Sequence, residues 1–342
     1  MNTLLLRCEA TAALGTGHAL RGLALAQAWV DGGGRALFVM SAPDPAIAGR
    51  LAREDFAVET IGAEAGSDAD ARATAALAAQ WNAAWVALDG PMFAGAWDAG
   101  WAGGARLLRI DDNGLPGSFR ADVLLNQNLG ATAEAYPGVR AECRLLLGPE
   151  FALLRREFRT AAPAAPSLPP RLVITMGGSD PAQATELLLA ALCSPYGEWL
   201  AADFIVGAAN PRRDALMVAI DRQAPRLKAH LSPMNMPEVL RGAKLAVTAG
   251  GTTLYELASL GVPMVILAIA ENQRPTCERF AVADAAGYAG WYGELTPARL
   301  VEEIMVYWTE PELLRTLATR ARSLVDGRGA ARVVAAMTGG AR

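Results

Sequence analysis

The chain has 342 residues, 52% hydrophobic and 19% charged, which accommodates two packed domains of roughly 150 residues and excludes global disorder. Its net charge of −4 leaves no basic surplus to neutralise phosphates, so nucleic acid is excluded as the main partner. Two histidines and four scattered cysteines, none in a CxxC pair, exclude a histidine-rich metal site and read as buried free thiols.

The first apolar run, 4–6, meets Arg7 at once and is far short of a signal-peptide core. The longest, 262–270, is about half a membrane span. A cytoplasmic protein without membrane insertion is expected by elimination. The sequence leaves the oligomeric state open, and a monomer is compatible with it.

In the first half, predicted strands over 3–6, 36–40, 56–60, 85–89, 106–110, 123–126 and 144–147 alternate with helical spacing over 17–30, 45–53 and 69–81. Such alternation indicates βαβ units and a parallel sheet. Residues 161–170, AAPAAPSLPP, carry four prolines and no charge, the mark of a stiff linker. Beyond it strands are expected over 171–175, 204–206, 245–248 and 264–267, with helices over 181–192, 253–260 and 274–286. The expected fold class is α/β: two Rossmann-like domains with parallel sheets facing across a cleft. The expected boundaries are 1–158, a linker at 159–170, and 171–342.

Four groups of residues follow predicted strands, where α/β folds bind ligands. Gly15, Gly17, His18 and Arg21 open a long helix. Glycines there let a backbone approach a ligand, and the helix dipole favours a neutral imidazole, suited to a general base. A turn with a histidine capping the helix is the alternative. Gly250, Gly251, Thr252, Thr253 and Glu256 form a glycine-rich helix entry that offers N–H groups to a pyrophosphate and a carboxylate to ribose hydroxyls. Thr253 and Glu256 also have the spacing of a capping box, which needs no ligand. The GxGxxG fingerprint is absent, which argues against a nicotinamide cofactor.

Gly177 and Gly178 repeat the strand–glycine–helix logic, with Asp180 or Ser179 as cap and Pro181 at the first helical position. The fourth group is Asp89, Asp111-Asp112 and Asn126-Gln127-Asn128, polar residues at three strand ends on one domain edge. His230 reads as a loop residue, and Arg155-Arg156-Glu157 as a solvated face. No cofactor and no metal are expected.

These motifs in this order resemble the UDP-sugar hydrolases of pseudaminic acid biosynthesis and the related spore-coat and flagellar polysaccharide proteins. The resemblance runs from Arg7 to about Phe280. It rests on R-x-[DE]-x5-G-x-G-H-x-x-R (Arg7, Glu9, Gly15, Gly17, His18, Arg21), L-L-N-Q-N (124–128), L-L-G-P-x-[FY]-A-L-L-R-x-E-F (146–158) and G-G-S-D-P (177–181). G-A-A-N-P (207–211), A-G-G-T-T-x-x-E (249–256), L-G-V-P (260–263) and E-N-Q (271–273) complete it.

The resemblance implies the glycosyltransferase-B fold, similar to that of the peptidoglycan enzyme that adds N-acetylglucosamine to a lipid intermediate. It implies UDP on the C-terminal domain: diphosphate at Gly250–Thr253, ribose at Glu256, uracil at the 231–236 loop with Met234. The sugar would lie near Gly15, Gly17, Arg21, Asp89, Asn126, Gly177, Gly178, Asn272 and Gln273. His18 would activate water for hydrolysis of a UDP-linked 2,4-diacetamido-2,4,6-trideoxyhexose to free sugar and UDP. The alternatives are sugar transfer to another acceptor on the same fold, and non-catalytic binding of a nucleotide sugar. Three positions depart from the family pattern: Glu9 for the usual Asp, Gln183 for Asn, and Pro91 for an aromatic on the sugar side. Pro91 bears on the identity of the sugar and leaves UDP untouched.

Overall fold

The computed structural model describes residues 2–11, 15–115, 117–159 and 168–339. They divide into two compact units, Met1–Arg156 with Gly327–Arg342, and Glu157–Asp326.

The first unit runs β1 (Thr3–Cys8), α1 (Gly17–Asp31), β2 (Arg35–Met40), α2 (Pro45–Ala52), β3 (Ala57–Thr60), α3 (Asp68–Gln80), β4 (Ala83–Asp89), α4 (Ala96–Gly100), β5 (Arg106–Ile110), β6 (Val123–Asn126) and β7 (Arg144–Leu147). All seven strands are parallel, in the order β3-β2-β1-β4-β5-β6-β7. Every residue of β1 is buried, as expected where helices cover both faces of a parallel sheet. Leu4, Leu6 and Cys8 pack with Leu23 and Ala26 of α1, while Leu5 on the opposite face joins Val86, Leu88 and Ala71. Gly22 lets α1 lie close to the sheet, since a β-carbon there would meet the Phe38 ring at 3.1 Å. The strand order reverses direction between β1 and β4. Connections leaving these two strands therefore diverge and open a crevice at their carboxyl ends.

A short helix, α5 (Arg156–Arg159), follows, and the second unit repeats the plan. Its elements are β8 (Leu172–Thr175), α6 (Ala184–Cys193), β9 (Ala202–Val206), α7 (Arg213–Asp221), β10 (Leu227–Leu231), α8 (Met236–Leu240), β11 (Leu245–Ala249), α9 (Thr253–Leu260), β12 (Met264–Ala268), α10 (Arg274–Val282), β13 (Gly287–Trp291), α11 (Pro297–Trp308) and α12 (Pro311–Leu324). The parallel sheet is ordered β10-β9-β8-β11-β12-β13, with its switch between β8 and β11. Among the described residues no helix is long and apolar enough to cross a membrane.

Several expectations need correction. The last helix, α13 (Gly329–Thr338), packs in the first unit, where Ala330, Val333 and Met337 share a core with α1, so the second unit ends before residue 327. Residues 160–167 of the expected linker lie outside the described residues. α6 begins at Ala184 because Asp180 and Gln183 adopt positive φ and delay the helix. Asp180 still caps it, accepting from the N–H groups of Ala184 at 3.0 Å and Thr185 at 2.9 Å. His230 lies on β10 with Nε2 2.8 Å from Asp203 Oδ1. Arg155 is buried, Cys193 is exposed and Cys143 is half-buried.

Candidate functional site

Cys8 at the end of β1 pairs with Asp89 at the end of β4, so Asp89 stands at the switch point of the first sheet. α1 starts beside it, and its first turn carries His18 and Arg21 on one face, three residues apart. His18 Nδ1 lies 2.7 Å from Asp89 Oδ1. A carboxylate only accepts, so Nδ1 carries the proton, and it is Nε2 that holds the lone pair whenever the ring is neutral. The ring is 18% exposed, open enough to meet a ligand.

Arg21 bonds two carboxylates, and its Nη2 also lies 3.3 Å from His18 Nδ1. Nε and Nη2 donate to Asp89 at 2.8 and 2.6 Å, and Nη1 and Nη2 donate to Asp112 at 2.7 and 2.9 Å. Burial works against charge at both Arg21 and Asp89, but the attraction among the groups wins. Arg21 is raised well above its ordinary value, and the Arg21 guanidinium with the His18 ring holds Asp89 down to about 2. A buried guanidinium saturated in this way orients Asp89, which in turn orients His18.

The strand-end group expected at one domain edge is tied together. Asn128 Nδ2 donates to the Asp112 carbonyl at 3.0 Å, and Asn126 Oδ1 accepts from the Asn128 N–H at 2.9 Å. Asn126 Nδ2 donates to the Tyr136 hydroxyl, which donates to Asp111 Oδ2. Burial and the Asp111 carboxylate push the Tyr136 phenol up, so it stays a neutral donor. Asn126 is thus buried in a structural network, and Gln127 accepts from the Leu153 N–H. Tyr136 has no sequence signal of its own, lying in the irregular segment between the 124–128 and 146–158 motifs.

Arg7 and Glu9, which also carry the motif, act as architecture. The buried Arg7 donates to both Asp70 oxygens at 2.8 and 2.9 Å and to Glu9 Oε1 at 2.5 Å. Glu9 Oε1 also accepts from the Ser41 N–H at 2.8 Å, which joins the ends of β1 and β2. The Gly15 N–H donates to the Thr11 carbonyl at 2.8 Å, and Gly15 takes a positive φ of 74° before Gly17 opens α1.

In the second unit, β11 delivers Gly250 and Gly251 at the switch point, and α9 follows at Thr253. The two glycines serve different ends. A β-carbon on Gly250 would meet Cys277 Sγ at 2.5 Å, so its smallness is required by α10. One on Gly251 meets nothing within 4 Å, so this glycine borders open space. Thr252 is the N-cap, which makes Thr253 the first helical residue and puts the expected capping box out of register. The side chain of Thr252 makes no capping bond. Glu256 is buried on α9. Gly177 follows β8 with φ of 88° and open space around it, and the Gly178 backbone packs on Gly207. Asn272 is exposed, Gln273 Oε1 accepts from the Ile269 N–H, and Met234 is exposed between β10 and α8.

No protein-family model matches the chain. The spore coat polysaccharide biosynthesis protein SpsG of Bacillus subtilis (strain 168) is 30% identical over 225 residues, 65% of this chain and 62% of that protein. The UDP-N-acetylglucosamine–N-acetylmuramyl-(pentapeptide) pyrophosphoryl-undecaprenol N-acetylglucosamine transferase of Rhodopseudomonas palustris (strain BisB5) is 27% identical over 247 residues, 64% of each chain. The chain therefore matches less than two thirds of the length of either relative. Among solved structures, Anabaena Alr3699/HepE in complex with UDP-glucose aligns over 99% of this chain and 100% of that one, with TM-score 0.66 and 14% identity. The chain has the glycosyltransferase-B fold. The parallel α/β sheets expected from the strand–helix alternation are the two sheets of this fold, of seven and six strands.

Proposed function

We propose that the chain is a UDP-sugar-dependent glycosyltransferase of polysaccharide biosynthesis. The observation that carries the reading is the His18 ring, fixed by Asp89 at a sheet switch point with Nε2 free to accept a proton. The resemblance to a transferase supports transfer over hydrolysis, and that to a spore coat polysaccharide protein supports polysaccharide biosynthesis. A solved neighbour in complex with UDP-glucose supports UDP as the carrier.

In this reading His18 Nε2 takes the proton from an acceptor hydroxyl as its oxygen bonds to the anomeric carbon. The bond from that carbon to UDP breaks, and UDP leaves with the electron pair. The N–H groups at Gly251, Thr252 and Thr253 stabilise the diphosphate charge at the start of α9, so the leaving group needs no protonation. Glu256 is assigned to the ribose and Met234 to the uracil side. Asn272, Gln273, Gly177 and Gly178 are assigned to the sugar.

Water in place of the acceptor would give hydrolysis, the outcome implied by the sequence motifs. UDP release is measured with UDP-N-acetylglucosamine and UDP-diacetamido sugars, with and without N-acetylhexosamine glycosides as acceptors. Acceptor-dependent release with a new glycoside supports transfer. Full-rate release of free sugar without acceptor establishes hydrolysis, and binding without turnover establishes a non-catalytic protein.

A further inference from the structure

We infer that Asp112 is a positioning residue that supplies the net negative charge by which the buried Asp89–Arg21 pair stabilises a protonated His18. The inference rests on the reading of His18 as the base.

The charges in the array count as follows. Asp89 Oδ1, 2.7 Å from His18 Nδ1, also accepts from Arg21 Nη2 at 2.6 Å, and Asp89 Oδ2 accepts from Arg21 Nε at 2.8 Å. One carboxylate against one guanidinium sums to zero. With those two groups alone, the imidazole would face a neutral pair, poorly suited to balancing the charge that appears when Nε2 takes a proton. Asp112 closes on the other side of the same guanidinium, with Oδ1 2.7 Å from Nη1 and Oδ2 2.9 Å from Nη2. The array then reads imidazole, carboxylate, guanidinium, carboxylate, with one negative charge left for the ring. Asp89 alone balances the Arg21 charge, so the second carboxylate adds a net negative charge as well as an acceptor for Nη1.

Asp112 is held for this task. Asp111 Oδ2 accepts from the N–H groups of Asn113 at 3.1 Å and Gly114 at 2.6 Å, which shapes the turn after β5, and Asn128 grips the Asp112 carbonyl. The side chain of Asp112 is 28% exposed, against 3% for Asp89 and 4% for Arg21. The other charged groups near the array come from β1, α3 and the β5 turn. Arg7 is paired with Glu9 and Asp70, and Asp111 accepts the Tyr136 hydroxyl. Cys8 on β1 stays a neutral thiol because burial, with Asp89, pushes it up.

The chain has two histidines, so ring Cε1–H titration by NMR resolves His18 directly, with His18→Ala and His230→Gln for assignment. Asp112→Asn keeps the shape and an accepting oxygen while removing the charge. The His18 midpoint should move to lower pH in this variant and stay near wild type in Asp112→Glu. His230, bonded to Asp203 in the second unit, should not move. The acid limb of the kcat profile should follow the NMR midpoint, with kcat down about tenfold and KM within about twofold. Asp112→Ser is the second neutral variant should Asp112→Asn fold poorly. An unmoved His18 midpoint in both neutral variants overturns the inference, and a moved one supports it. Turnover of His18→Ala reports separately on the base: retained turnover removes that reading without touching the NMR result.

Discussion

Asp89→Asn changes one oxygen to an amide and strikes both functions of the array. The amide can present N–H to His18 Nδ1, which drives the ring proton to Nε2 and removes the lone pair that accepts the substrate proton. General-base catalysis contributes about 10²–10⁴-fold, so kcat should fall by at least about 10²-fold. Stability falls as well. Asp89 is held at about 2 against an ordinary 3.8, which corresponds to roughly 2 kcal/mol of folding free energy. The folded value is depressed, so this contribution is present above the unfolded pKa near 4 and is lost as pH falls towards 2. Breaking a buried ion pair outright costs about 3–5 kcal/mol. Asp112 still holds Arg21 in the variant, so the loss should sit near the lower figure. UDP release from the productive UDP-sugar gives kcat, and urea unfolding at pH 7 and pH 3 gives stability. A variant with kcat within about threefold of wild type, or with an unchanged urea midpoint at pH 7, would refute the reasoning.

Gly250→Ala should cost about 1–3 kcal/mol in a thermal or urea melt, because Cys277 and Gln273 crowd the new β-carbon. Gly251→Ala should leave the melt within about 0.5 kcal/mol and weaken UDP binding about tenfold by calorimetry. Asn126→Ala breaks bonds to Tyr136 and Asn128 and should cost about 1–3 kcal/mol of stability with KM nearly unchanged. A raised KM at intact stability would return Asn126 to the substrate.

The central strands were legible because a sheet covered on both faces is written as apolar runs, as in β1, β4, β11 and β12. The two that escaped, β10 with LKAHL and β13 with GYAGW, are edge strands of the second sheet, where polar and glycine residues replace the apolar run. The return of α13 to the first unit has no local signal, since its small apolar face would fit many surfaces. At the candidate site, sequence placed Asp89 and Asp112 at strand ends on one domain edge and His18 at the entry to a helix. Pairing across 71 residues, as between His18 and Asp89, is a tertiary fact. So is the conversion of Arg21 and Asn126 from expected ligand contacts into internal supports. Their donors look the same in sequence whether they meet a substrate or a carboxylate.

The most direct measurement is single-site: His18→Ala, with UDP affinity by calorimetry and turnover of the productive UDP-sugar on the same preparation. UDP affinity should stay within about twofold, because UDP is assigned to the Gly251–Thr253 turn of the other unit, while turnover falls at least about 10²-fold. Turnover within about threefold of wild type would contradict the assignment of His18 as the base.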